Sequence, residues 1–280
     1  MALLLHGFTD HTINTGEVEI GYSVGPDNGS TLLLLHGVTS RRDGFLRVID
    51  SLVENHRVVA MDQRGHGFSG HTPGHYERED HARDIRFVME NVCEALTIVW
   101  GHSMGGGNAV VMAGEPPEQL KALVLEDPAV FGRKRPVSTG SSPTVNAFQV
   151  HLDLIEAGLS AEEMASKLQA ANPNQPVYFA SWKAECLLQM DVEILRNVVS
   201  GRARGGGDPA ESLAKIDCPV LLLQADPDAG GILPDDYLAG IIPDSDEFTV
   251  KKILGAGHNI NREHPDKMLP VVLPWLEALR

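Results

Sequence analysis

Apolar and polar positions along the chain follow two alternating rhythms. Continuous apolar runs at 31–35, 57–61, 96–100, 122–125, 219–223 and 248–254 have the length of strands buried on both faces. Segment 17–23 alternates as a half-buried strand. Between these runs, 45–54, 76–92, 108–114 and 265–279 carry amphipathic helical patterns. The helix begun at 108 must stop before Pro116 and Pro117, which lack the N–H a helix needs. Strand and helix in alternation predict an α/β fold of three layers, with helices on both faces of a mostly parallel sheet.

Between Phe131 and Asp208 the alternation breaks. A basic stretch from Gly132 to Pro136 and a small polar run at 138–142 lead into helical pieces at 161–171 and 184–199. Gly205, Gly206 and Gly207 then form a flexible joint. The reading is a helical cap, 132–208, inserted into a core made of 1–131 and 209–280. One internal echo stands out: Leu3-Leu4-Leu5-His6-Gly7 resembles Leu33-Leu34-Leu35-His36-Gly37. Only the second copy is followed by a helix and a strand, so the first is expected to be a terminal strand.

The chemistry concentrates in Gly101-His102-Ser103-Met104-Gly105, which fits G-x-S-x-G with a strand before it and a helix after it. A serine on that sharp turn needs small neighbours two positions away, and the helix N-terminus beside it favours a developing oxyanion. A serine hydroxyl also needs an adjacent base. His258 follows the strand at 248–254 and the loop Gly255-Ala256-Gly257, whereas His264 belongs to the start of the last helix.

These residues resemble the α/β-hydrolase superfamily over almost the whole chain, and the resemblance implies a serine esterase or related hydrolase with a helical cap. By that resemblance Ser103 is the nucleophile and His258 the general base. His36-Gly37-Val38-Thr39 looks like the family's oxyanion loop, so the backbone N–H groups of Val38 and Met104 would hold the oxyanion. The D-x-R-G-x-G-x-S stretch from Asp62 to Ser69 implies a structural ion pair and turn. For the acid, the turn Gln224-Ala225-Asp226-Pro227-Asp228 favours Asp228, although Ala225 stands where the family has glycine. Asp226, and Asp127 in the turn after the preceding strand, remain open. Ser103 separates the chain from haloalkane dehalogenases and epoxide hydrolases, which carry aspartate at this turn.

The expected substrate is a small-molecule carboxylic ester. Lactones, amides, carbon–carbon bonds of catabolic intermediates and perhydrolysis are handled by relatives with the same triad, and a small-molecule receptor on this fold is a further alternative. Phe148, His151, Tyr178 and Trp182 are candidates for lining a substrate pocket, and Arg41 and Arg42 for pairing with a substrate carboxylate. No metal or organic cofactor is implied: His71, His75 and His81 straddle a Pro-Gly loop without a metal-site signature. A net charge of −15 argues against a nucleic-acid partner, which needs a basic face. No apolar run is long enough to span a bilayer, and the first ten residues lack a basic leader, so a cytoplasmic protein without a membrane partner is expected. A monomer and a homodimer are both compatible with this composition. Cys93, Cys186 and Cys218 form no disulfide framework and should be buried thiols.

Overall fold

The computed structural model describes residues 7–93, 96–131, 143–204 and 207–279. Among them, eight strands form one sheet: β1 (Thr9–Asn14), β2 (Glu19–Val24), β3 (Ser30–Leu35), β4 (His56–Met61), β5 (Thr97–His102), β6 (Leu120–Glu126), β7 (Val220–Ala225) and β8 (Phe248–Ile253). Their order across the sheet is β1-β2-β4-β3-β5-β6-β7-β8. β2 runs antiparallel to both β1 and β4, and every other pair is parallel. The terminal strand expected at 3–7 falls outside the described residues, apart from Gly7. The first strand present, β1, carries mostly exposed polar residues, which is why apolar patterning overlooks it.

Helices α1 (Leu46–Val53), α2 (Arg78–Val88) and α3 (Met104–Ala113) connect the strands from β3 to β6, α9 (Asp235–Ile241) lies between β7 and β8, and α10 (Ile260–Glu263) and α11 (Pro265–Ala278) follow β8. Side chains of period two divide between the sheet's faces. β3 sends Leu33 and Leu35 to a core shared with Ile85 of α2 and Val110 of α3. Leu32 and Leu34 enter the opposite core with Ile49 of α1 and Val272 of α11. Each such Leu, fully buried, contributes about 2 kcal/mol of burial free energy. Cys93, Cys186 and Cys218 are buried.

Between β6 and β7 lie α4 (Pro143–Glu156), α5 (Ala161–Ala171), α6 (Val177–Gln189), α7 (Val192–Val199) and α8 (Pro209–Leu213). The single helix expected at 184–199 is two, because Met190 is extended and the Asp191 side chain caps α7 through the N–H of Glu193. α4 to α7 bury a third core, including Leu152, Met164, Leu187 and Leu195, against which Val38 and Tyr76 pack. Polar contacts fasten this insertion to the sheet: the Asp191 N–H donates to the Gly65 carbonyl at 2.8 Å, and Tyr76 Oη–H to Asp191 Oδ2 at 2.7 Å. Beneath it, the Asp62–Ser69 stretch acts structurally, as expected. Asp62 pairs with Arg42 at 2.6 Å and accepts the Phe68 N–H, while Arg64 forks onto Asp84 at 2.6 and 2.7 Å. Among the described residues no helix is long and apolar enough to cross a membrane.

Candidate active site

Strand β5 ends at His102, and α3 begins at Met104, so the whole reversal falls on Ser103. Its backbone takes φ 53° and ψ −113°, a region costly for any residue with a Cβ and tolerated only where the surroundings enforce it. Three backbone bonds do so. The Ser103 N–H donates to the Glu126 carbonyl at 3.0 Å, and its own carbonyl accepts from Gly107 at 3.0 Å and Ala129 at 2.9 Å. The motif glycines let the chain close around this turn. A Cβ on Gly101 would lie 2.5 Å from the Gly105 carbonyl oxygen, and one on Gly105 would strike the Leu35 carbonyl.

His258, in the loop after β8, reaches this serine from the other end of the chain. Its Nε2 lies 2.9 Å from Ser103 Oγ, and its Nδ1 lies 2.7 Å from Asp127 Oδ2. A carboxylate can only accept, so Nδ1–H donates to Asp127 and Nε2 is left to accept the serine proton. Asp127 is fully buried. Its Oδ1 also accepts the Ala225 N–H at 3.4 Å, and Oδ2 the Ile232 N–H at 3.0 Å. Beside it, Glu126 accepts from Trp100 Nε1 at 3.1 Å and from the Asn261 N–H at 2.8 Å. Burial outweighs both donors and pushes the Glu126 carboxyl up to about 7.

The expectation of Asp228 as the histidine's partner is therefore corrected. Asp228 is exposed, and its N–H donates to Asp226 Oδ1 at 3.1 Å. Asp226 does not face His258 either. Its other oxygen takes the Gly255 N–H at 2.8 Å, which pins the loop leading to His258. Both backbone bonds hold its carboxyl below the usual range.

Opposite the histidine, the loop after β3 lies hard against the serine. A Cβ on Gly37 would sit 2.8 Å from His102 Nδ1 and 3.1 Å from the Ser103 Cβ. His36 is structural: its Nε2 accepts the Gln63 N–H at 3.0 Å and Nδ1–H donates to the Gly37 carbonyl at 2.9 Å. Burial keeps that ring neutral, with its pKa lowered to about 4. Val38 follows, partly buried against the helical insertion. Met104 opens α3, so its N–H has no acceptor within the helix.

From the insertion, Phe148 and His151 sit together on α4 with ring centroids 6.5 Å apart. Trp182 on α6 donates Nε1–H to Asp43 at 2.6 Å. Tyr178 does not join them: it is 68% exposed. The reason is helical phase. Residues 178, 181, 185 and 188 form the outer stripe of α6, while Ala180, Lys183, Ala184 and Leu187 face inward.

Arg41 and Arg42 are not available for a substrate. Arg41 is held by Asp43, Glu185 and Gln189, and Arg42 by Asp62 and Asp10. Two basic residues that local patterning passes over stand nearby instead. Lys183 donates Nζ–H to the Thr39 carbonyl at 2.6 Å, and Arg262 lies over the Trp182 ring at 5.4 Å. Among the described residues, no group of three or more His, Cys, Asp or Glu side chains is placed to hold a metal ion.

A family model of the α/β hydrolase fold matches residues 30–265. The chain is 25% identical over 265 residues to 2-(acetamidomethylene)succinate hydrolase of Mesorhizobium japonicum, covering 90% of this chain and 89% of that protein. It is 26% identical over 286 residues to a monoacylglycerol lipase of Mycolicibacterium smegmatis, covering 93% and 94%. In structure it superposes on N-formylmaleamic acid deformylase of Pseudomonas putida S16 with a TM-score of 0.78, at 22% identity over 94% of this chain and all of that one. With that match running from β3 through the Ser103 turn to the His258 loop, the protein belongs to the α/β-hydrolase fold family.

Proposed function

We propose that the protein is a serine hydrolase that cleaves a small-molecule carboxylic ester through an acyl-enzyme on Ser103. The observation that carries this reading is the continuous relay from Ser103 Oγ to His258 to Asp127, at 2.9 and 2.7 Å, on a serine in a strained backbone turn. In the proposed reaction His258 Nε2 takes the serine proton as Oγ attacks the acyl carbonyl. Asp127 holds the ring in the required tautomer and stabilises the imidazolium. The N–H groups of Val38 and Met104 receive the oxyanion, each contributing about 3 kcal/mol of barrier lowering. His258 then protonates the leaving group, and a water activated by the same nitrogen releases the acid. The insertion, 132–208, serves as a cap over this centre, with Trp182, Phe148 and His151 towards the substrate.

A second reading, amide hydrolysis with the same residues, is favoured by the Mesorhizobium relative, whose name gives it a substrate bearing an acetamido group. It differs only in requiring His258 to protonate a nitrogen leaving group.

The test is hydrolysis of p-nitrophenyl acyl esters from C2 to C12 and of the matching p-nitroanilides, for wild type and Ser103→Ala, with fluorophosphonate labelling in parallel. Ester turnover that falls by about 10⁵-fold or more in Ser103→Ala is the expected result. Turnover confined to the anilides would replace the ester by the amide. A protein that neither labels nor turns over any of them refutes both.

A further inference from the structure

Two cations stand near the serine without a carboxylate in ion-pair contact, Lys183 from the insertion and Arg262 from α10 after His258. Lys183 is 7% exposed, on the inner stripe of α6. Its Nζ donates to the Thr39 carbonyl at 2.6 Å and to Thr39 Oγ1 at 3.2 Å, two neutral acceptors on a single residue. Arg262, one turn past His258, donates to Ser40 Oγ at 3.4 Å and to Asn259 Oδ1, and its buried Nε has no acceptor. Both cations lie against Trp182, at 5.1 and 5.4 Å from its ring centroid. Among the described residues no carboxylate comes within ion-pair distance of either one. The same protein neutralises Arg41, Arg42 and Arg64 with carboxylates at 2.6–2.8 Å. A buried cation without an ion pair carries a desolvation cost that a bound anion would offset.

Their position says which ligand. Thr39 and Ser40, which they hold, directly follow Val38 in the loop packed against Ser103. His102, the residue before the nucleophile, has its proton affinity depressed by burial, by His258, and then by Arg262 and Lys183. His151 on α4 has a buried Nδ1 with no partner, and burial together with Lys183 keeps its ring neutral. A neutral imidazole there offers an N–H without adding charge. Repulsion from Arg262 adds to burial in weakening the Lys183 ammonium, and the attraction of Asp43 offsets it only in part, a cost that a bound anion would lower further.

We propose that Lys183 and Arg262, with His151 beside them, form an anion subsite for a carboxylate on the acyl substrate, so that the preferred substrate is a small acid bearing its scissile ester or amide bond at Ser103. This rests on the hydrolase reading above. Arg262 contributes a planar fork suited to a carboxylate, and Lys183 a point charge.

The experiment compares monomethyl glutarate with methyl glutaramate, which share the same ester and length and differ only in carboxylate against carboxamide. Wild type should prefer the carboxylate by about 30-fold in kcat/KM, mostly through KM, within the range of one to two charge-assisted hydrogen bonds. In Lys183→Met and in Arg262→Gln that preference should fall below about fivefold, and Lys183→Arg should retain most of it. The ratio is the readout because a purely structural role for Lys183 beneath Thr39 would slow both substrates together. Equal hydrolysis by wild type, or a preference that survives both substitutions, overturns the subsite. Calorimetric titration of Ser103→Ala with monomethyl glutarate and with methyl glutaramate separates the two proposals. Charge-selective binding without hydrolysis by the parent leaves the subsite standing and removes the hydrolase, and hydrolysis without charge-selective binding does the reverse.

Discussion

Two turns at the carboxyl edge of the sheet each carry a pair of acids, and they end in opposite states. After β6, Glu126 and Asp127 are fully buried; after β7, Asp226 is half-buried and Asp228 exposed. In sequence the turn Asp226-Pro227-Asp228 looks the better suited to serve a histidine, with Glu126-Asp127-Pro128 as the alternative. The difference lies in the surrounding donors. Asp127, at φ 37°, receives the N–H groups of Ala225 and Ile232 as well as His258. Ala225 and Ile232 flank the second turn, so the turn after β7 supplies amides while the turn after β6 supplies the acid. Asp226 is occupied elsewhere, with Asp228 and Gly255. A buried carboxylate keeps a fixed orientation only where donors around it satisfy its oxygens. The turn that brings the acid and the turn that brings its donors are separate, and only their packing makes a site.

The largest effect that sharpens this contrast is expected from Asp127→Asn, which should lower kcat/KM by about 10⁴-fold through loss of the required histidine tautomer. Asp228→Asn should stay within about twofold of wild type. Steady-state kinetics on the best ester of the panel ranks them, and the reverse ranking would restore the turn after β7 as the source of the acid. A smaller effect is expected from Asp226→Ala, which frees the Gly255 N–H and loosens the loop before His258. The melting temperature should fall by roughly 2–4 °C, with kcat reduced less than tenfold. An unchanged melting temperature would show that this bond does not pin the loop.

The smallest effect is a pH signature of opposite sign in the two turns. Glu126 has its pKa raised from 4.5 to about 7. Between those values the native state holds a proton that the unfolded chain has released. Its contribution to stability is complete below about pH 4.5 and is lost as pH rises through about 7. Asp226 is shifted the other way, so its contribution is present above 3.8 and is lost on acidification. Glu126→Gln should therefore gain melting temperature relative to wild type between pH 5 and 8, and Asp226→Ala should lose its deficit only in acid. Thermal scans from pH 3 to 8 check both, and parallel curves for wild type and Glu126→Gln would mean that Glu126 is ionised throughout.

Much of this centre is legible in the amino-acid sequence. The serine turn is readable because its requirement is local: a strand of apolar residues, a reversal, and glycines at 101 and 105 where backbone oxygens leave no room for a Cβ. His258 is readable from its loop between the last strand and the final helix. The acid is not, because a resemblance assigns it by chain position, whereas the competition among Asp127, Asp226 and Asp228 is decided by backbone donors on a neighbouring strand. Tyr178 misleads because composition marks an aromatic residue but not the phase of its helix. Lys183 and Arg262 escape notice because each is an ordinary basic residue in its own segment.

The sequence by itself determined most of the buried strands and the helices between them, where the chain reverses at Ser103, and which histidine could be its base. Those features depend on neighbours a few positions away, through side-chain period and steric room. The tertiary structure alone decided which carboxylate meets the histidine and which cations stay unpaired. Asp127 and His258 are 131 residues apart, Ser103 and His258 155, and Lys183 and Thr39 144. At such separations a hydrogen bond exists only because the sheet order and the packing of the insertion bring both partners to one edge, and no local pattern records that meeting.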